Sequence, residues 1–246
     1  RNIESIMEKP DDQYLWEAEK EESPPEISAR QGVVGFTKFL FFMSFTLSLI
    51  PFFLILKTFY KWTDIKIPML VVRKFWSRVG LKLCGLNLRV QGHLSSKVSM
   101  VVCNHVSWLD ILVIQSVTDV VFVAKSEVKT WPGLGFLAQL ADTLFVERKP
   151  QKIGFHSKEA AKIMSMGNTI CFFPEGTSSD GLRVLKFRSS FFQLAYNNVF
   201  GTCNPVIHIQ PLSLFYAPHS VDKDNDFYGW WGSMSLFTHM VKVLCQ

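Results

Sequence analysis

Residues 39–56 run for eighteen positions without a charge, FLFFMSFTLSLIPFFLIL, bracketed by Lys38 and Lys57. At about 1.5 Å per residue a helix of this run is roughly 27 Å long, just enough to cross a hydrocarbon core. Pro51 removes one helical hydrogen bond and kinks the segment, so two readings stay open: a single span, or a re-entrant hairpin in one leaflet. Six cations follow, Lys57, Lys61, Lys66, Arg73, Lys74 and Arg78, against Arg30 and Lys38 before it. That asymmetry puts the C-terminal body on the cytoplasmic side of a membrane. Residues 68–83, PMLVVRKFWSRVGLKL, space apolar groups helically among cations, as an interfacial helix or a core helix with a basic outer face would.

Of the 246 residues 48% are hydrophobic and 22 are Phe, which supplies a large core and excludes disorder throughout. Residues 1–30 hold nine acidic and four basic side chains without a hydrophobic period and read as a flexible acidic tail, unlike the basic start of a cleaved signal peptide. Residues 31–246 then carry a net +10. A basic, aromatic-rich body suits nucleic acid or an anionic membrane; the apolar run selects membrane lipids as partners, with no nucleic acid. Cys84, Cys103, Cys171, Cys203 and Cys245 are scattered, which encodes no disulfide framework or zinc ribbon and implies a reducing compartment. His93, His156, His208 and His219 lack metal-ligand spacing, so no metal is expected.

Beyond Cys84 the pattern changes. Short apolar runs at 87–92, 98–103, 120–124, 143–147, 169–174 and 206–212 alternate with helical stretches at 108–116, 133–140, 152–166 and 190–197. Strands alternating with helices specify an α/β sandwich with a largely parallel sheet. The chain divides into the tail (1–30), a membrane-anchoring helical region (31–84) and one domain (85–246).

Three stretches carry chemistry. In Asn104-His105-Val106-Ser107-Trp108-Leu109-Asp110, after a strand, Ser107 and Asp110 have capping-box spacing, so a helix is expected from Ser107. On a continuous helix His105 and Asp110 would diverge, but a histidine in the preceding turn can fold back onto the carboxylate, which fixes its tautomer and stabilises the imidazolium. In Phe173-Pro174-Glu175-Gly176-Thr177-Ser178-Ser179-Asp180-Gly181 a strand end offers a carboxylate, hydroxyls and backbone N–H groups, with Arg183, Lys186 and Arg188 close behind for an anionic headgroup. The third, from Lys125 through Gly133 and Gly135 to Arg148, lacks a dinucleotide fingerprint, and no Walker sequence occurs. Cys103 and Cys171 lie beside the first two but in apolar strands, where thiols are inert packing.

In this order NHVSWLD, LGFLAQLADTLFVERK and FPEGTSSDG, over about residues 85–215, resemble the lysophospholipid acyltransferase family, typified by the bacterial 1-acyl-glycerol-3-phosphate acyltransferases. The resemblance implies an αβα sandwich of the glycerolipid acyltransferase type with an N-terminal membrane-anchoring helical segment. It implies acyl transfer to a lysolipid hydroxyl, in the first instance 1-acyl-glycerol-3-phosphate giving phosphatidate, at a bacterial inner membrane. The donor would be acyl-CoA or acyl carrier protein, a co-substrate rather than a cofactor. His105 takes the general-base role with Asp110 as partner; Lys125, Arg148, Glu175, Gly176 and Thr177 match headgroup-binding positions.

Phosphatidate-forming members of the family often carry Arg where this chain has Ser178, so the resemblance implies that a phosphate clamp is missing. Arg183 or Arg188 then replaces it, or the acceptor is another lysolipid such as lyso-ornithine lipid. Two rival readings remain at this level: a thioesterase or lipid-remodelling transferase, and a non-catalytic membrane-binding protein whose motif residues serve as caps.

Overall fold

A computed structural model of the chain describes residues 27–147, 153–188, 192, 207–217 and 226–246. The acidic tail up to residue 26, Arg148 and most of the expected helix at 190–197 lie outside the described residues.

The apolar run is the middle of a longer helix, α1 (Ala29–Thr63). A capping box starts it: Gln31 N–H donates to Ser28 Oγ (3.4 Å) and Ser28 N–H donates to Gln31 Oε1 (3.0 Å). Pro51 lies inside it without breaking it, so residues 39–56 form one rod and not a hairpin. The reversal comes at Asp64, left-handed at φ 58°, whose N–H donates to Tyr60 O. After it α2 (Ile67–Leu83) returns antiparallel: Arg73 lies over the Phe53 ring, Trp76 stacks on Phe42 and donates to Thr46 Oγ1 (2.9 Å), and Gly80 abuts Phe42.

The length of α1 lies against the body. At its start Gly35 packs on Cys245, and Lys38 donates to the carbonyls of Leu244 (3.1 Å) and Gln246 (3.0 Å). Near its end Lys57 donates to Leu140 O (3.1 Å) and pairs with Asp142 (2.6 Å). Its outer face leaves Phe36, Phe41, Leu47, Ile55 and Trp62 exposed. Of the six cations behind the apolar run, Lys57, Lys66 and Arg73 fold back onto Asp142 and Asp119, which leaves fewer to set orientation at a membrane.

Five short parallel strands follow: β1 (Met100–Cys103), β2 (Val121–Lys125), β3 (Leu144–Val146), β4 (Ile170–Phe172) and β5 (Ile209–Leu212), in the order β3-β2-β4-β1-β5. The run at 87–92 forms no strand. Alternation decides which face each residue joins. Val101, Cys103, Cys171 and Phe173 meet Ile114 of α3 (Leu109–Val117), whereas Met100, Val102, Ile170 and Phe172 face the side that carries Ala160 and Met164 of α5 (Ile153–Ser165). Helices on both sheet faces make the expected sandwich. A short 3₁₀ turn (Ser126–Thr130) and α4 (Leu134–Leu140) lead from β2 to β3, and α6 (Leu236–Leu244) packs beside α1.

Candidate active site

At the C-terminal ends of β1 and β4, where open α/β sheets collect their ligands, two loops meet. The first leaves β1. Asn104 clamps its start, its amide donating to Leu214 O (3.0 Å) and its oxygen accepting from Leu214 N–H (2.8 Å). His105 comes next, and its ring folds back so that Nδ1 lies 2.8 Å from Asp110 Oδ2. The same oxygen accepts two backbone N–H groups and acts as an acceptor toward the ring as well, so Nδ1–H donates and, in the neutral imidazole, Nε2 carries the lone pair. Phe173 stacks on the imidazole, centroids 4.1 Å apart and planes at 16°, which restricts its rotation.

Asp110 is fully buried yet completely satisfied. Oδ2 also accepts the N–H groups of Val106 (2.8 Å) and Ser107 (3.1 Å), and Oδ1 accepts the Tyr216 hydroxyl (2.7 Å). The carboxylate thus performs the backward half of the expected capping box, while Ser107 Oγ has no partner among the described residues and α3 starts at Leu109 rather than at Ser107. Burial pushes the Tyr216 phenol well above its ordinary range, with Asp110 adding to the shift, so it stays a neutral donor.

The second loop leaves β4. Glu175 is 2% exposed and both its oxygens accept backbone N–H groups, Oε1 from His105 (2.8 Å) and Oε2 from Leu185 (2.8 Å). Burial raises its affinity for a proton, and the two N–H bonds oppose that shift. Ser179 N–H (3.0 Å) and Oγ (3.2 Å) both donate to His105 O. Gly181 has φ +77°, and a Cβ there would stand 2.7 Å from Val106 Cγ1, so only glycine lets the loops approach this closely. From the C-terminal segment Trp230 N–H donates to Val106 O (2.9 Å), and Trp108 Nε1–H donates to His239 Nδ1 (2.9 Å). Burial lowers the His239 pKa to about 4, with Lys242 adding to the effect.

The structure therefore brings together His105, Asp110, Glu175, Gly176 and Thr177. Lys125 closes β2, next to β4 on the same sheet edge. Arg183 pairs with Asp180 at 3.3 Å, and Arg188 returns to the strand end through its N–H to Pro174 O (2.8 Å). Glu175, expected at a headgroup, has its oxygens occupied by main chain. Cys103 and Cys171 are buried in the sheet with thiols pushed far up by desolvation, inert as expected. Among the described residues no group of His, Cys, Asp or Glu is arranged to hold a metal. Asn104 and Phe173 lie inside the motifs; Tyr216, Trp230 and His239 lie far away in sequence and have no local signal.

A family model described as Acyltransferase matches residues 87–214, and the chain belongs to that family. The lyso-ornithine lipid O-acyltransferase of Rhizobium meliloti (strain 1021) is 39% identical over 189 residues, 74% of this chain and 64% of that protein. The chain thus spans a little under two thirds of that relative's length. The 1-acyl-sn-glycerol-3-phosphate acyltransferase of Neisseria gonorrhoeae is 39% identical over 97 residues, 39% of this chain and 38% of its own. The crystal structure of the 1-acyl-sn-glycerophosphate acyltransferase PlsC from Thermotoga maritima shares the fold, with a TM-score of 0.53 at 22% identity over 67% of this chain and 70% of that one.

Proposed function

We propose that the chain transfers a fatty acyl group from a thioester, acyl-CoA or acyl carrier protein, to the free hydroxyl of a lysolipid. The observation that carries this reading is the His105–Asp110 pair, 2.8 Å apart on the ligand-binding edge of the sheet in a member of the acyltransferase family. A hydroxyl attacks a thioester poorly unless its proton leaves as the bond forms, and a placed base contributes about 10²–10⁴-fold. Nε2 of His105 takes that proton, and Asp110 stabilises the resulting imidazolium. When the tetrahedral intermediate collapses, the carbon–sulfur bond breaks and the imidazolium returns the proton to the thiolate.

The oxyanion needs donors. The N–H groups of His105, Val106, Ser107 and Gly176 are already engaged. Those of Thr177 and Ser178 make no hydrogen bond among the described residues and take this role.

For the acceptor we favour lyso-ornithine lipid over 1-acyl-glycerol-3-phosphate. Ser178 occupies the place of a phosphate-clamping arginine, and Arg183 is already paired with Asp180, which leaves less net positive charge for a dianionic phosphate. A zwitterionic amino-acid head asks less of the site. The apolar outer face of α1, which lies along the body rather than standing off it, fits an anchor that holds the site at the lipid surface on the cytoplasmic side.

Purified enzyme is assayed with both donors against a lysolipid panel. Acyl transfer to a lysolipid, abolished in His105→Ala, is expected; thioester consumption unaffected by lysolipid, or substantial turnover by His105→Ala, would defeat the reading.

A further inference from the structure

We infer that Tyr216 is a positioning residue for the base pair, the third member of a chain that runs His105–Asp110–Tyr216. This inference rests on the proposed role of His105. Tyr216 comes from the segment after β5, more than a hundred positions from Asp110, and its hydroxyl donates to Asp110 Oδ1 at 2.7 Å. The other oxygen already accepts His105 Nδ1–H and two backbone N–H groups.

A carboxylate can point either oxygen at an imidazole. Here the phenol holds Oδ1, so the remaining oxygen is fixed toward the histidine. Tyr216 is held in turn from the C-terminal segment, where the Tyr228 ring lies 5.7 Å away, centroid to centroid. Tyr228 is fully buried, and its own hydroxyl donates to Gln246 Oε1 (3.0 Å). The aromatic stretch around Trp230 thus reaches the base through Tyr216 as well as through the backbone of Val106.

The electrostatic consequence follows from what else faces Asp110. His105 and Tyr216 touch it; among the described residues Cys103, Cys171 and Glu175 also sense its charge, and burial pushes the pKa of all three up. Among the described residues the phenol is the neutral side-chain donor hydrogen-bonded to Asp110, and it spreads the negative charge of that carboxylate. Its removal concentrates that charge toward His105, favours the imidazolium and makes the histidine a base that stays protonated to higher pH.

The test is Tyr216→Phe in the full-length enzyme, with wild type assayed beside it on the acceptor it uses best. Phe keeps the ring and deletes only the donor. Loss of the orienting contact is expected to lower kcat by about 10-fold with KM little changed, the misplaced carboxylate outweighing its stronger pull on the imidazolium. The acid limb of the kcat–pH profile should move up by roughly half a unit, threefold in proton affinity. In an Asp110→Asn background the same change should cost less than about threefold, because no charge is left for the phenol to spread and the N–H groups of Val106 and Ser107 still orient the amide oxygen. A Tyr216→Phe enzyme with unchanged kcat and acid limb overturns the inference. So does a variant that fails to fold, or one whose losses add fully to those of Asp110→Asn, since either assigns Tyr216 to maintenance of the fold. An inactive wild type would instead count against the proposed function.

Discussion

Replacing Asp110 by Asn tests the electrostatics of the site with little disturbance of its shape. If the amide oxygen takes the place of Oδ2, it keeps the three donors of His105, Val106 and Ser107, and the amide NH₂ meets the Tyr216 hydroxyl, which rotates to accept. What disappears is the charge. A carboxylate and an imidazolium with centres about 4 Å apart at an effective dielectric near 20 attract by about 4 kcal/mol, so full charge development is worth about 10³ in rate. Partial proton transfer in the transition state brings the expected fall in kcat to about 10²–10³-fold. The three charge-assisted bonds weaken to neutral ones, but desolvation of a buried carboxylate is also relieved, so the net change in stability should stay within about 2 kcal/mol. Initial rates of acyl transfer and a thermal melt on the same preparation check both numbers. An Asp110→Asn enzyme that keeps more than about a tenth of wild-type kcat with an unchanged melt would refute the reasoning.

Glu175→Gln leaves one amide N–H pointing at a backbone N–H, either of His105 or of Leu185, so a loss of about 2 kcal/mol and a drop in melting temperature of about 4–8 °C are expected; an unchanged melt would show that Glu175 does not brace the two loops. Gly181→Ala combines a left-handed backbone with a Cβ 2.7 Å from Val106 Cγ1, and kcat and melting temperature should both fall; a melt and a rate matching wild type would contradict the close approach. His239 has its folded pKa lowered from 6.5 to about 4, so its contribution is complete above pH 6.5 and is lost as pH falls toward 4, by at most about 3 kcal/mol. Denaturant titrations from pH 7 to 4 should show that slope, and His239→Gln should flatten it; an equal slope in both would place the acid sensitivity elsewhere.

The parts of the site that could be read from the sequence are those whose partners are close along the chain. His105 and Asp110 sit in one turn, and the apolar strands before each motif mark the sheet edge on which they lie. The Ser107–Asp110 spacing predicts a helix from Ser107, but the cap comes from the Asp110 carboxylate reaching back rather than from the Ser107 hydroxyl, so the helix starts at Leu109. Residues 87–92 have strand-like composition but pair with no strand among the described residues, so tertiary pairing overrides propensity here. Pro51 leaves a single span and a hairpin both open in the sequence; α1 continues through it, supported along its flank by α2 and the body. Tyr216, Trp230 and His239 were not legible as site residues. Each becomes relevant only once the sheet order brings β5 beside β1 and the C-terminal segment folds over the first loop.

Glu175 grips the backbone of the base with one oxygen and the backbone of Leu185 with the other. Neither grip reads a side chain. The side chains of residues 182–188 can therefore be changed to suit another lipid head with the base left in register, provided that positions 182, 185 and 188 keep their amide hydrogens. Proline at position 185 would free one oxygen of Glu175 and loosen the segment from the loop that carries the base, whatever head the rest was redesigned to hold.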